Sequence, residues 1–348
     1  MKSLLSIAIA TIALVGISCT WGTSFKPEPK IKLQSYNGRA IVFYNVENLF
    51  DTIDQTDVID EEYLPNGKLK WNTERYKTKL QHLEQVLTFN LENNPLLIGL
   101  AEIENGSVVL DLAKTGKLAN TKYRLAHKDS PDARGIDCAL LYDADRFKPL
   151  VITNLAVKID SIPDFKTRDI LYVKGELKGK KVIHMFVNHW PSRRGGEQES
   201  EIKRIQAAKV ARAKIDEILK EDPKANIVLM GDFNDHPTNN SILETLKAKP
   251  ITDANADLYN LLYDDQEAGL GTHNFKNEWG VLDQFIVSKS LYNGKKKIKL
   301  LTKDAVILKE DFVLYKAGDG TMKPSTTYGG EKYYGGYSDH LSIRLFLK

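Results

Sequence analysis

Carboxylate, amide and imidazole side chains recur directly after short apolar runs of this sequence. One run is clearest: residues 227–230 read Ile-Val-Leu-Met, and Gly-Asp-Phe-Asn follows at once. The apolar part has the length and composition of a buried strand. Asp232 and Asn234 are two residues apart, so on an extended backbone their side chains share one face. Such a pair at the carboxyl end of a strand is typical of an α/β active site, although a turn with two backbone-bonding side chains is the alternative.

Further polar groups stand at the ends of other apolar runs or inside them. They are Asn45, Glu102, His189, Asp283, Asp339 and His340. Asp283 lies within the apolar segment 281–287, where an unpaired charge costs several kcal/mol. The sequence therefore predicts a bonding partner for Asp283.

The chemistry of this set is that of a hard metal ion and of acid–base catalysis. Carboxylate and amide oxygens are the ligands that Mg²⁺ or Mn²⁺ prefers. Histidines beside carboxylates exchange protons near neutral pH. With no candidate covalent nucleophile in the set, water attack on a phosphoryl group is the reaction that these residues favour. The sequence has no Walker loop, Gly-x-Ser-x-Gly elbow or His-Glu-x-x-His motif, which argues against nucleotide triphosphatase, esterase and zincin chemistry.

Composition sets looser limits. The chain has 348 residues, of which 42% are hydrophobic and 27% charged, as in ordinary globular proteins with a sizeable core. Its 49 basic and 46 acidic residues leave a formal net charge of +3. That charge is too small to imply a polyanionic partner, so any affinity for phosphate must come from local patches or from a metal.

The N-terminal residues predict export. Residues 1–18 have the apolar stretch of a signal peptide, and Gly-Ile-Ser before Cys19 is similar to a bacterial lipobox. We expect Cys19 to be lipidated and to become the mature N-terminus, with a cleaved secretory signal as the alternative. Residues 19–35 read as a tether and 36–348 as one domain. No second apolar run could span a membrane, so membrane contact would come only through the lipid.

The pattern of elements predicts two sheets. A strand at 40–44, a helix from residue 72 and a strand at 96–101 form one β-α-β unit. Strand-like segments without helices fill 123–188, which predicts antiparallel pairing. A helix over 197–221, with Ile202 expected on its apolar side, then leads into the strand at 227–230. Two sheets packed face to face with helices outside would satisfy this order.

The polar clusters together resemble those of the endonuclease/exonuclease/phosphatase superfamily, the fold of pancreatic-type DNase and abasic-site endonucleases. The motifs that carry the resemblance are Tyr44-Asn45-Val46-Glu47-Asn48, Ala101-Glu102-Ile103-Glu104, Asn188-His189-Trp190-Pro191, Gly231-Asp232-Phe233-Asn234, Leu282-Asp283-Gln284-Phe285 and Ser338-Asp339-His340. Each is weak alone, but six in the family's order are specific. The resemblance implies an α/β (α+β) fold: a four-layered α/β sandwich of two packed mixed β-sheets flanked by helices.

The resemblance also implies a role for each cluster. Glu102 would be the principal metal ligand, with Asn45 beside it and Asp339 completing the shell. Asp232 and Asn234 would orient the attacking water and the scissile phosphate. Gly231 would let the backbone approach that phosphate closely.

The two histidines would act on the phosphate. His340 would be held by Asp283, which raises its pKa because a nearby anion favours imidazolium. His189 would contact the phosphate or assist the leaving oxygen, with Asp137 as a carboxylate that supports it. Two further residues, Arg134 and Arg193, are candidates for phosphate contacts, since the arginine fork matches phosphate oxygens.

The expected function is divalent-metal-dependent phosphodiester hydrolysis, most concretely by a secreted or surface-anchored endonuclease acting on nucleic acid. Two alternatives stay open: a sphingomyelinase-like or inositol or small phosphate-ester phosphatase, and a surface lipoprotein that binds without catalysis. We expect a monomer, because no exposed apolar stripe is evident in the sequence.

Overall fold

A computed structural model describes residues 39–56, 58–294 and 298–348 of the chain. The expected signal peptide, the lipidation site Cys19 and the tether lie outside the described residues and stay predictions. Within the described ranges, no helix combines the length and the apolarity that a membrane span requires.

The strands of the described part follow one another closely along the chain. In order they are β1 Arg39–Leu49, β2 Leu97–Ile103, β3 Tyr123–His127, β4 Asp137–Asp143, β5 Phe147–Leu155, β6 Ile170–Leu177, β7 Lys181–His189, β8 Ile227–Asp232, β9 Ala248–Lys249, β10 Leu258–Asn260, β11 His273–Phe275, β12 Glu278–Gly280, β13 Asp283–Ser288, β14 Val306–Ile307, β15 Leu314–Lys316, β16 Met322–Pro324, β17 Tyr328–Gly329, β18 Lys332–Tyr333 and β19 Ile343–Leu347.

Helices are fewer. The α-helices are α1 Thr73–Thr88, α2 Gly106–Ala113, α3 Glu197–Glu221, α4 Tyr263–Glu267 and α5 Lys289–Tyr292. Short turns of 3-10 helix cover Glu61–Tyr63, Gly116–Asn120 and Asp311–Val313, and a π-helix covers Ser241–Leu246. The Asn72 side chain begins α1 by accepting a hydrogen bond from the Arg75 amide, which satisfies one of the free amides of the first turn.

Two mixed sheets carry the fold, as the resemblance implied. The first has the strand order β14-β19-β1-β2-β4-β3 and the second the order β5-β6-β7-β8-β13-β10-β9. Strands β1 and β2 are parallel neighbours in the first sheet, and β7 and β8 are parallel neighbours in the second. In each pair a helix, α1 or α3, carries the chain back so that the second strand runs in the same direction as the first. Hairpin-connected strands such as β6 and β7 are antiparallel, as predicted for the helix-free middle of the chain.

The main core lies between the two sheets. Alternate residues of β8 divide between two apolar clusters, since neighbouring side chains of a strand point to opposite faces. Val228 and Met230 join a cluster with residues of β1, β2 and β4 from the other sheet. Ile227 and Leu229 join a second cluster with α3. On the far side, α1 contacts β1, and α2 contacts β3 and β4. These layers place helices outside both sheets.

The buried face of α3 differs from the expectation. Ile202 is 55% exposed, and the eight buried residues of the helix include three alanines and two arginines. Arg204 is also fully buried on this face, where its Nε lies 2.7 Å from Asp235 Oδ1. The ion pair offsets the cost of burying the guanidinium, so a charged residue occupies a position that periodicity assigns to the core.

Candidate active site

The ends of β1 and β2 are irregular where the first polar residues stand. The pairing register of the two strands shifts between Asn45 and Leu49, and Glu102 has a φ of 64°. Glu47 and Asn48 also have left-handed backbones, with φ of 50° and 59°. This conformation is costly for residues with a Cβ and persists where surrounding contacts fix it. One such contact is the hydrogen bond that the Asn48 amide donates to Glu102 Oε2 at 3.1 Å.

Asp232 is the centre of the cluster. Its Oδ2 accepts a hydrogen bond from Asn45 Nδ2 at 3.1 Å, and its Oδ1 accepts one from the Asn234 amide at 2.9 Å. The Nε2 atoms of His189 and His340 each lie 3.7 Å from Asp232 Oδ2. Four residues that the sequence singled out thus surround this one carboxylate.

His340 and Asp283 form a buried pair. His340 Nδ1 and Asp283 Oδ2 are 2.6 Å apart, and the Asp283 amide donates to Thr272 Oγ1 at 3.0 Å. Asp283 lies opposite Asp232 in the antiparallel pairing of β13 and β8, which brings His340 between the two acids. Burial opposes a charge on the ring, but the carboxylates of Asp283 and Asp232 outweigh it and raise the pKa of His340 well above its ordinary value. The two carboxylates therefore favour the charged form of His340.

His189 has the opposite electrostatic character. Burial lowers the pKa of His189 well below its ordinary value, and the charges of Arg168 and Arg134 lower it further. Its Nε2 lies 3.6 Å from Glu102 Oε1, and its Nδ1 has no hydrogen-bond partner among the described side chains and backbone. The surroundings thus favour the neutral form of His189 and the charged form of His340.

The proposed support of His189 by Asp137 is wrong. Asp137 Oδ2 lies 2.9 Å from His127 Nε2, and Asp137 Oδ1 accepts from the Ser130 amide at 2.8 Å. In the antiparallel pairing of β3 and β4, His127 lies opposite Ala139, which shares a strand face with Asp137. The strand register therefore assigns Asp137 to His127.

The acidic residues of the site fit a divalent cation. Burial raises the pKa of Glu102, and the nearby charge of Asp339 raises it further. Burial also raises the pKa of Asp232 to about 7. Buried carboxylates that repel one another in this way are relieved by a cation, and oxygen donors suit a hard one. Glu102, Asn45 and Asp339 are the residues that would hold it.

Sequence reasoning gave no role to Glu47. Its carboxylate accepts a hydrogen bond from the Thr327 amide at 2.7 Å and another from the Thr326 hydroxyl. Burial raises the pKa of Glu47 to about 7, and the charge of Asp339 acts in the same direction. Glu47 thus fixes the loop that leads to Asp339.

Lys79 was also missed. The side chain is 2% exposed, and its Nζ donates to Thr327 Oγ1 at 2.6 Å and to the Tyr337 carbonyl at 2.8 Å. Two residues after Tyr337 comes Asp339, so the ammonium ties α1 to the segment that carries a candidate metal ligand. The available signal was a lysine three residues after Tyr76 on the apolar face of the helix.

The arginines make more protein contacts than expected. Arg193 donates from Nε to the Asn234 carbonyl at 2.8 Å and from a terminal nitrogen to Asp235 Oδ1 at 3.1 Å, which orders the turn after Asp232. Arg134 has 48% of its side chain exposed near the site. A buried third arginine, Arg168, donates to the Trp190 carbonyl at 2.6 Å. Phosphate contacts of Arg134 and Arg193 stay predictions.

Gly231 has a structural reason as well, and its expected role in phosphate approach stays a prediction. A Cβ at this position would lie 2.4 Å from the carbonyl oxygen of Asn188, its neighbour in β7. The glycine is required for the close approach of two strands, which brings His189 opposite Asp232.

The sequence of the chain matches that of a known family. Residues 40–348 match the sequence model described as the Endonuclease/Exonuclease/phosphatase family. Among curated proteins, none matches the chain.

Solved structures share the fold. An endonuclease/exonuclease/phosphatase family protein from Bacteroides thetaiotaomicron is 15% identical, with a TM-score of 0.54 over 89% of this chain and 97% of that one. The mannosyl-6-phosphatase Bt3783 of the same species is 14% identical, with a TM-score of 0.56 over 89% and 100%. TDP2 of D. rerio, complexed with single strand DNA product, is 13% identical, with a TM-score of 0.52 over 90% and 99%.

Proposed function

We propose that this chain, which belongs to the endonuclease/exonuclease/phosphatase family, is a divalent-metal-dependent phosphodiesterase that acts on nucleic acid. The observation that carries the proposal is the contact set of Asp232. A single buried carboxylate has Asn45, Asn234, His189 and His340 around it. A structural role would not require two histidines of opposite charge state beside one acid. Hydrolysis of a phosphate ester uses all of them.

The metal would supply positive charge. A cation held by Glu102, Asn45 and Asp339 offsets the charge that grows on the phosphoryl oxygens. The imidazolium of His340, fixed by Asp283, donates a hydrogen bond to the same group.

The proton of the attacking water passes to Asp232. Asp232, whose pKa is raised to about 7 by burial, accepts the proton of the attacking water, since a base is most effective when its pKa is near the working pH. Asn234 orients the water and the phosphate. The neutral ring of His189 donates a hydrogen bond to the leaving oxygen, which takes up a proton from bulk water as its bond to phosphorus breaks.

Nucleic acid is the first candidate substrate. TDP2, which has this fold, was crystallised with a single strand DNA product. A small phosphate ester is the second, because the fold is also that of a mannosyl-6-phosphatase. Sphingomyelin is a third class for the test.

The test is a substrate panel. The purified chain is incubated with DNA, RNA, sphingomyelin and sugar phosphates, each with Mg²⁺ or Mn²⁺ and each with EDTA. We expect metal-dependent cleavage of nucleic acid that is abolished in His340→Ala and Glu102→Ala. Cleavage of sphingomyelin alone would indicate a sphingomyelinase-like activity, and cleavage of sugar phosphates alone would indicate a phosphatase; either result would rule out the proposed nuclease. Turnover by both variants at the wild-type rate would overturn the mechanism. If the wild-type chain turns over none of the substrates, a binding protein is favoured.

We also propose that the enzyme is exported as a lipoprotein anchored through Cys19 to the cell envelope. Fractionation of a bacterial host should find the chain with membranes. Cys19→Ser should release it or leave it unprocessed. Recovery of the wild-type chain as a cleaved soluble protein would favour the secreted alternative.

A further inference from the structure

A cavity of 730 Å³ adjoins the candidate active site. Asn234, which donates to Asp232, is part of its wall, and so is His273. The ring centroids of His273 and His340 are 4.8 Å apart. A substrate whose phosphate lies against His340 and Asn234 would therefore place its neighbouring group in or beside this cavity. Its volume falls in the range of small-molecule sites, roughly 300–1,000 Å³.

Four of the residues that line the cavity carry rings. The hairpin of β11 and β12 contributes Phe275 and Trp279, and His236 and His273 add two imidazoles. Phe275 is 65% exposed, and Lys276 Nζ lies 5.3 Å from the centroid of its ring. The hairpin lies close against His236, because a Cβ at Gly280 would be 2.3 Å from the His236 ring. The aromatic wall is thus built on a tightly packed support.

The wall has no excess of either charge, because Arg193 and Arg194 line it together with Glu197 and Glu278. A terminal nitrogen of Arg193 lies 3.1 Å from Glu197 Oε2, so this pair offsets one of the two positive charges. Uncharged flat groups fit such a wall, and the guanidinium plane of Arg194 adds a further stacking surface.

We infer that this cavity receives the base of the nucleotide next to the scissile phosphate, an inference that rests on the proposed nuclease function. The base stacks on the face of Trp279 opposite Lys309, whose Nζ lies 4.2 Å from the ring centroid. Polar edges such as that of Gln266 bind the heteroatoms of the base. A base inside a duplex is stacked and paired on both sides, so entry requires its extrusion. The enzyme therefore prefers single-stranded nucleic acid over duplex.

Matched oligonucleotides test the inference. The cleavage rate at one chosen nucleotide is compared in three substrates. They are a single strand of DNA, the same strand in a duplex, and the same single strand without the base of that nucleotide. The wild-type enzyme should cleave the intact single strand at least about 5-fold faster than either alternative, since one stacked base contributes about that much. Trp279→Ala should remove the difference, and Trp279→Phe should retain most of it.

A control and a second measurement separate the outcomes. Tyr315→Ala removes an exposed ring from another hairpin and should leave the preference unchanged. Equal rates on all three substrates in the wild type would overturn the inference while leaving the nuclease intact. If the wild type cleaves no nucleic acid, the proposed function fails, and equilibrium dialysis with AMP in EDTA judges the cavity alone. AMP binding that is weakened by Trp279→Ala and not by Tyr315→Ala supports the assignment of the cavity as a base site. Equal AMP binding by the two variants overturns that assignment.

Discussion

His340 and Asp283 are separated by 57 positions in the sequence, yet Nδ1 of the histidine lies 2.6 Å from Oδ2 of the aspartate in the buried site. The pair fixes the ring so that Nε2 faces Asp232, 3.7 Å away. The aspartate thereby determines both the orientation of the imidazole and its charge.

The variant Asp283→Asn should reduce kcat by about 10²-fold or more, the usual contribution of a group in acid–base catalysis. Without the anion, burial dominates and the pKa of His340 falls. A raised histidine pKa keeps the charged form to higher pH, so the alkaline limb of the pH–rate profile should move to lower pH in the variant. Steady-state rates between about pH 5 and 10 would measure both effects.

Asp145→Asn is the matched control, because Asp145 is a surface residue with 61% of its side chain exposed. It should leave kcat and the profile unchanged. A profile for Asp283→Asn that coincides with that of the wild type would contradict the assigned role of the pair.

The metal-free protein should lose stability as pH rises. Folding raises the pKa of Asp232 and Glu47 to about 7, above the ordinary carboxyl values near 4. The folded state therefore holds more protons than the unfolded state between about pH 4 and 7, and the free energy of unfolding falls across that window. Thermal unfolding in EDTA would show a falling Tm.

Mn²⁺ competes with those protons, so the increase in Tm on its addition should be larger at about pH 8 than at about pH 5. Glu102→Gln should abolish most of the increase. An equal metal effect at both pH values would argue against a site built from these carboxylates.

Lys79→Met should weaken Mn²⁺ binding as well as stability. The substitution leaves the Thr327 hydroxyl and the Tyr337 carbonyl without their buried donor, at a cost of about 1–3 kcal/mol. It also frees the segment that carries Asp339. Urea unfolding would measure the first effect, and EPR titration of free Mn²⁺ the second.

Lys77→Met changes an exposed lysine of the same helix and should affect neither quantity. A purely structural role for Lys79 would lower stability with unchanged Mn²⁺ affinity, and that result would refute its part in positioning the site.

Asp137→Asn should destabilise the fold and spare catalysis. Asp137 is 3% exposed and bonds His127 and Ser130, so losing its charge should cost about 1–3 kcal/mol of stability. The kcat of the folded variant should stay within a few-fold of the wild type. A loss comparable to that of Asp283→Asn would instead restore a link between Asp137 and His189.

The sequence was sufficient to place this chain in its fold and family. Strand-length apolar runs and helical spacing predicted the two β-α-β units and the helix-free middle of the chain, because periodicity reports which face of an element is buried. Periodicity does not report how small residues and an ion pair change that face, which is why Ile202 was expected inside and Arg204 was not.

The tertiary structure decided which residues meet. Asp137 was matched to the wrong histidine because partner choice depends on strand register, which a single strand does not encode. Lys79 contacts Thr327 across 248 positions, and no local pattern relates the two. The charge states of His189 and His340 follow from burial and neighbouring charges alone. Residue types and their order determined the chemistry available to this protein; register and burial determined the geometry and the charge with which each group enters it.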